Sequence, residues 1–423
     1  MRATVITASL LLISFASAPG IAIGAPPSPT EQFARCARPT AERFTGTPPG
    51  HTLLDLASAH RFSRGAGVKV AVIDTGVTPH PRLPGLTGGG DYVSSGDGLD
   101  DCDLHGTLVA GIIAARPSPA DDYIGVAPEA TIISIRQSSG AYRAKSSDRD
   151  AAAVGAGYGP LETLAAAIRR AVDLGADVVN ISETACVPAA QAAGDGAVRD
   201  ALRDAVVRDV VVVAAAGNLS DGTQCREQNP DVVGLPVVTV ATPARLSPLV
   251  LTVGATQASD GRAAPFTLRG PWVSVAAPGA DVVGLAPTGP ITALAGPTGE
   301  SGLAGTSYAA PYVSGTAALI RSRFPDLTAA EVIHRIVATA HGGGADTAVG
   351  RGVIDPVAAL TAQSPPARPS STSRRIAAPA PVEDGDSGLR RVALTAGLAA
   401  ATVALSVMLR PARRHARTPS RDR

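Results

Sequence analysis

Four short motifs carry side chains suited to acyl transfer. Val70-Ala71-Val72-Ile73-Asp74-Thr75-Gly76 sets a carboxylate at the end of an apolar run, and His105-Gly106-Thr107-Leu108-Val109-Ala110-Gly111 sets an imidazole at the head of a stretch of small residues. Ala214-Ala215-Ala216-Gly217-Asn218 ends a second apolar run in a side-chain amide, and Gly305-Thr306-Ser307-Tyr308-Ala309-Ala310-Pro311 sets a hydroxyl at the start of a helix. Each has a plain structural reading when taken alone. Asp74 could close a turn, His105 could pack beside glycine, Ser307 could cap its helix, and Gly217-Asn218 could be a turn. The functional reading is a nucleophile at the positive end of a helix dipole, with a base, a carboxylate partner for the base and an amide aimed at an oxyanion.

These residues need a scaffold, and the apolar pattern supplies one. Runs at 68–73, 131–135, 177–181, 210–215 and 249–253 are short and nearly continuous, the mark of strands buried on both faces. Between them, residues 161–174 read as a helix with Leu164, Ile168 and Val172 on one face and a stop at Gly175; residues 326–340 read as another. Alternating strands and helices predict a parallel sheet covered on both faces. Sites in such sheets form at the carboxyl ends of strands, where Asp74 and Asn218 fall. Residues 138–160 and 219–248 read as long inserted loops.

The 423 residues, 45% hydrophobic, suit one large α/β domain with appendages. Charged residues make up 17% and the net charge is +1, which excludes a nucleic-acid partner held by bulk electrostatics. Residues 1–24 read as a signal peptide: Met1-Arg2, an apolar run at 5–18, then small residues with a cut after Gly24. Residues 25–63 form an extension ahead of the main domain, and 363–389 are a Pro-rich linker. Residues 390–410 read as a transmembrane helix, because 392–409 hold no charge and Arg390, Arg391, Arg410 and Arg413 flank them. The basic tail at 411–423 is then cytoplasmic. Cys36, Cys102, Cys186 and Cys225 make an even count, which in an exported chain suggests two disulfides of open connectivity. No zinc spacing appears, and no metal or cofactor is expected. Asp97, Asp100, Asp101 and Asp103 come nearest to a calcium loop but are expected to form a solvated loop beside His105.

The four motifs, in the order Asp, His, Gly-Asn, Ser, resemble the subtilisin family of serine proteases over residues 64–358, within a subtilisin-like peptidase domain expected at 64–362. The resemblance implies a three-layer α/β fold with a mainly parallel central sheet flanked by helices. It implies catalysis by Asp74, His105 and Ser307 and an oxyanion hole containing Asn218. It implies a peptide or protein substrate held near Ser182, Glu183, Thr184, Ala215 and Gly217, with the strand ending Val178-Val179-Asn180-Ile181-Ser182 pairing with the substrate. Glu183-Thr184 departs from the family's Leu-Gly type pair, and its carboxylate is expected either to alter the primary pocket or its rim or to point to solvent.

The wider layout, from signal peptide to basic tail, resembles the mycosins, proteases of actinobacterial type VII secretion systems. That resemblance implies the disulfides Cys36–Cys102 and Cys186–Cys225 and an extension that wraps the catalytic domain. It also implies partners in the secretion membrane complex, a single-pass anchor in the cytoplasmic membrane and a catalytic domain outside it. Limited cleavage of exported proteins is the expected work, with a broad degradative surface protease or a mainly structural subunit as alternatives.

Overall fold

Alternate residues of the first core strand face opposite cores. In β1 (Lys69–Asp74), Val70 and Val72 join one apolar cluster and Ala71 and Ile73 join another. A strand can bury both faces only inside a sheet covered on both sides. The structure, a computed structural model, describes residues 26, 28–145, 157–220, 225–296 and 299–363. They belong to the compact unit Met1–Ser364; Pro365–Arg423 form a second unit outside the described residues. The expected signal peptide, most of the linker and the apolar segment 390–410 also lie outside them. Among the described residues no helix is long and apolar enough to cross a membrane.

The other strands of the central sheet are β2 (Thr87–Asp91), β3 (Thr131–Arg136), β4 (Val178–Ile181), β5 (Val211–Ala215), β6 (Leu251–Gln257), β7 (Val275–Ala280), β8 (His341–Asp346) and β9 (Gly350–Val353). Among the described residues they form one nine-stranded sheet in the order β8-β9-β7-β6-β5-β4-β1-β3-β2. Every neighbouring pair is parallel except β8 with β9. Helix α1 (His105–Ala114) and helix α4 (Thr306–Arg323) pack on one face through Leu108, Ile112, Ala309, Val313 and Ala317. Helix α2 (Leu161–Asp173) and helix α3 (Gly196–Val207) cover the other through Leu164, Ile168, Val198 and Leu202. Helix α5 (Ala329–Thr339) opens with a capping box in which Thr328 and Glu331 bond each other's backbone.

The strands rich in Val and Ile fall where the sequence pattern predicts them. β2, β7, β8, β9 and α3 were not expected. Thr87–Asp91 reads TGGGD and His341–Asp346 reads HGGGAD, so no β-branched run marks them; neighbouring strands impose their conformation. The segment 219–248 is no plain loop either, since Thr239–Thr242 pairs antiparallel with Ala185–Pro188.

The extension is woven into the domain. Thr30–Gln32 pairs with Tyr142–Ala144, Arg38 and Pro39 pair with Ala295 and Leu294, and Leu54, Leu56 and Ala59 are buried in the main core. The structure joins Cys36 to Cys102 and Cys186 to Cys225. The first bridge closes a sequence separation of 66 residues. Replacing Cys36 and Cys102 together by Ser should lower the unfolding free energy by about 2–4 kcal/mol, read from a denaturant titration. An unchanged midpoint would show that the bridge adds nothing.

Candidate active site

Asp74 ends β1 and is fully buried. Its Oδ1 accepts the Thr75 N–H at 2.8 Å and faces His105 Nδ1 at 2.6 Å. His105 begins α1, and the helix start is held tightly. Asp101 accepts both the Thr107 N–H at 2.8 Å and the Thr107 hydroxyl at 2.6 Å. The Thr75 hydroxyl donates to Asp101 at 2.8 Å and accepts the Gly106 N–H at 3.0 Å. A Cβ at Gly106 would lie 2.0 Å from the Gly76 carbonyl oxygen, so only glycine lets the helix start come this close to the end of β1.

Ser307 is the second residue of α4, and its Oγ lies 2.9 Å from His105 Nε2. With Nδ1–H donated to Asp74, Nε2 is free to accept the Ser307 proton. The Tyr308 ring packs 5.1 Å from the imidazole, centroid to centroid. Pro311 has no N–H to offer the carbonyl four residues back, which is that of Ser307. Ser182 Oγ donates to that carbonyl at 2.8 Å, and Ser182 is itself tied through Asn180 to Ser314 of α4. The end of β4 is thereby fastened to the residue that carries the hydroxyl.

Asn218 follows β5 by three residues. Its Oδ1 accepts from the Thr306 N–H at 2.8 Å and the Thr306 hydroxyl at 3.0 Å, which fixes the amide. A Cβ placed at Gly305 would lie 2.8 Å from Ser307 Oγ and 3.3 Å from Asn218 Nδ2, so hydroxyl and amide border the same small space. A substrate carbonyl placed there would meet a nucleophile and a donor together.

Burial works against charge on His105, but the Asp74 carboxylate outweighs it. With help from Glu183 and Asp101, the imidazole is pushed up to about 10. Burial pushes Asp101 up to about 6 and Glu183 up to about 7.

The structure gathers Asp74, His105, Ser307 and Asn218 in one place. It treats the residues expected to hold substrate differently. β4 is paired on both sides, with β1 and β5, so it offers no edge for a substrate strand. Only Ser182, Glu183 and Thr184, between β4 and the strand Ala185–Pro188, have no strand partner among the described residues. The Ser182 hydroxyl is turned to the Ser307 carbonyl, and Ala215 and Gly217 are buried. Glu183 turns toward the imidazole, with Oε1 3.8 Å from His105 Nδ1 and 14% of its side chain exposed. The expected solvated acidic loop is solvated in part: Asp97 and Asp100 are exposed, Asp100 while pairing with Arg136 at 3.0 Å, whereas Asp101 is buried by the donors named above and Asp103 accepts from Ser139 at 2.5 Å and Gly140 at 2.9 Å. Among the described residues, one set of acidic and imidazole groups could converge on a metal ion: Asp74, His105 and Glu183. The supporting roles were missed from the sequence: Thr75, Thr107 and Thr306 stand inside the motifs with no role assigned to them, and Asp101 stood out only as part of an acidic loop.

Residues 65–352 match the Subtilase family. The chain is 47% identical over 402 residues to Mycosin-4 of Mycobacterium tuberculosis, covering 92% of this chain and 87% of that protein. The crystal structure of MycP1 from the ESX-1 type VII secretion system superposes with a TM-score of 0.75 at 42% identity, over 81% of this chain and 93% of that one. A chain of an intact ESX-5 inner membrane complex gives 0.74 at 40% identity, over 92% of this chain and 96% of that one. On sequence, fold and site together, this chain belongs to the subtilase family of serine endopeptidases, among its mycosins.

Proposed function

We propose that this protein is a membrane-anchored, extracytoplasmic serine endopeptidase that makes limited cuts in proteins exported by a type VII secretion system. The observation that carries the enzymatic part is the hydrogen-bonded chain from Asp74 through His105 to Ser307, at 2.6 and 2.9 Å. Ser307 attacks the scissile carbonyl while His105 takes its proton and later gives it to the leaving amine. Asp74 holds the tautomer and stabilises the imidazolium. Asn218 Nδ2 and the Ser307 N–H, at the positive end of α4, receive the oxyanion. The substrate backbone lies along Ser182, Glu183 and Thr184. Asn218→Ala should lower kcat about 10²–10³-fold with little change in KM, measured on any peptide the parent cleaves. An unchanged kcat would remove Asn218 from the oxyanion hole.

The anchor is the uncharged segment 392–409, between arginines, with the catalytic domain outside and the basic tail inside. The secretion role is supported by similarity to MycP1 of the ESX-1 system and to a chain solved within the ESX-5 inner membrane complex. That second likeness also favours a part in stabilising the membrane complex. Complementation of a deletion strain tests both. Restoration of export by the parent but not by Ser307→Ala makes proteolysis the essential task. Restoration by both makes the protein chiefly a structural subunit. Unimpaired export in the deletion strain would contradict a secretion role and leave a degradative surface protease.

A further inference from the structure

His105 Nδ1 faces two carboxylates. Asp74 Oδ1 approaches it at 2.6 Å from β1, and Glu183 Oε1 at 3.8 Å from the segment after β4. The other groups around the imidazole are Asp101 and Asp103 from the loop before α1, and Ser307 and Tyr308 from α4. Asp101 is committed to Thr75 and Thr107, and Asp103 to Ser139 and Gly140. The buried cation Arg136 is paired with Asp91 and Asp100. Glu183 is mostly covered from water, so salt screens its charge on the imidazole only weakly.

We propose that Glu183 is a positioning residue for the protease reaction: its carboxylate, near Nδ1 rather than the Nε2 that bonds Ser307, steadies the His105 imidazolium and sets the pH range in which His105 can act as base. The inference rests on the reading of Ser307 and His105 given above. Its sign follows from charge. A second anion beside Nδ1 favours the protonated ring, so more alkaline conditions are needed before His105 can accept the Ser307 proton. Once the ring is neutral, the same anion stabilises the imidazolium that forms during attack and speeds the reaction. Glu183 itself is raised to about 7 by burial, so its hold grows as the pH rises through neutrality. A neutral residue here should therefore favour activity at low pH and reduce it at high pH.

The test is kcat/KM against pH for the full-length chain in detergent, with Glu183→Gln, Glu183→Asp and a Ser307→Ala blank. Glu183→Gln should move the acid limb down by roughly 1–3 pH units and lower the alkaline plateau several-fold, so that its profile crosses the parent's. Glu183→Asp keeps the charge and should stay near the parent's limb. Profiles of parent and Glu183→Gln that superimpose after one scaling factor would overturn the inference and leave Glu183 a packing residue. If Glu183→Gln does not fold, NMR titration of the His105 ring in the parent decides. A main step above the ordinary 6.5, with a second inflection as Glu183 ionises, supports the inference; a single step at or below 6.5 overturns it. A parent no faster than the Ser307→Ala blank at every pH would instead sink the protease reading, and the NMR titration would still decide the part played by Glu183.

Discussion

Ser307→Ala should lower kcat for peptide hydrolysis about 10⁶-fold, the loss known for the corresponding change in the related enzyme subtilisin. Among the described residues the hydroxyl bonds His105 Nε2, at 2.9 Å, so its removal deletes the nucleophile and leaves the surrounding hydrogen bonds in place. Thr306 still bonds Asn218, Ser182 still bonds the residue 307 carbonyl, and alanine suits a helix better than serine. The variant should therefore fold and bind peptide with a similar KM. Residual catalysis of about 10³–10⁴ over water would come from the oxyanion donors and from substrate alignment. A loss of less than tenfold would mean that another group attacks the carbonyl.

Asp74→Asn should cost about 10⁴-fold in kcat. The expected cause here is loss of charge more than loss of position. The Thr75 N–H at 2.8 Å requires an acceptor where Oδ1 now lies, so the amide oxygen of the new side chain takes that place and still accepts from His105 Nδ1. The amide nitrogen falls where Oδ2 lies, a buried atom with no hydrogen-bond partner among the described residues. Leaving that donor unsatisfied should cost about 1–3 kcal/mol of stability. Without the anion, the imidazolium formed during attack loses its main support, and the acid limb of the pH profile should fall toward the ordinary 6.5. Combining Asp74→Asn with Ser307→Ala should be no worse than Ser307→Ala alone, since a triad acts as a unit. Multiplied losses in the double variant would contradict that coupling.

How much of this could be read from the sequence depended on the kind of signal. β1, β3, β4 and β5 announced themselves through Val and Ile, because strands buried on both faces need apolar residues at every position. β2 and β8 are built from Gly-rich segments that carry no apolar signal and take their conformation from neighbours. The site residues were legible because each stands in a distinctive local motif. Their supports were not. Asp101 looked like part of a hydrated acidic loop; only the fold closes Thr75 and Thr107 over it. Pro311 did carry a signal, since a proline inside a helix frees the carbonyl of Ser307 for another donor, but the sequence could not name Ser182 as that donor. Glu183 stood out by its type, whereas its direction toward His105 required coordinates.

Whether Ser307 is the activated nucleophile is decided by covalent labelling of the full-length chain with a fluorophosphonate, followed by peptide mass mapping. A single phosphonylated residue, Ser307, is expected, with labelling lost in His105→Ala because the hydroxyl then has no base to take its proton. Labelling at a different residue, or none in a folded protein that still cleaves peptide, would contradict the assignment of Asp74, His105 and Ser307 as the catalytic groups.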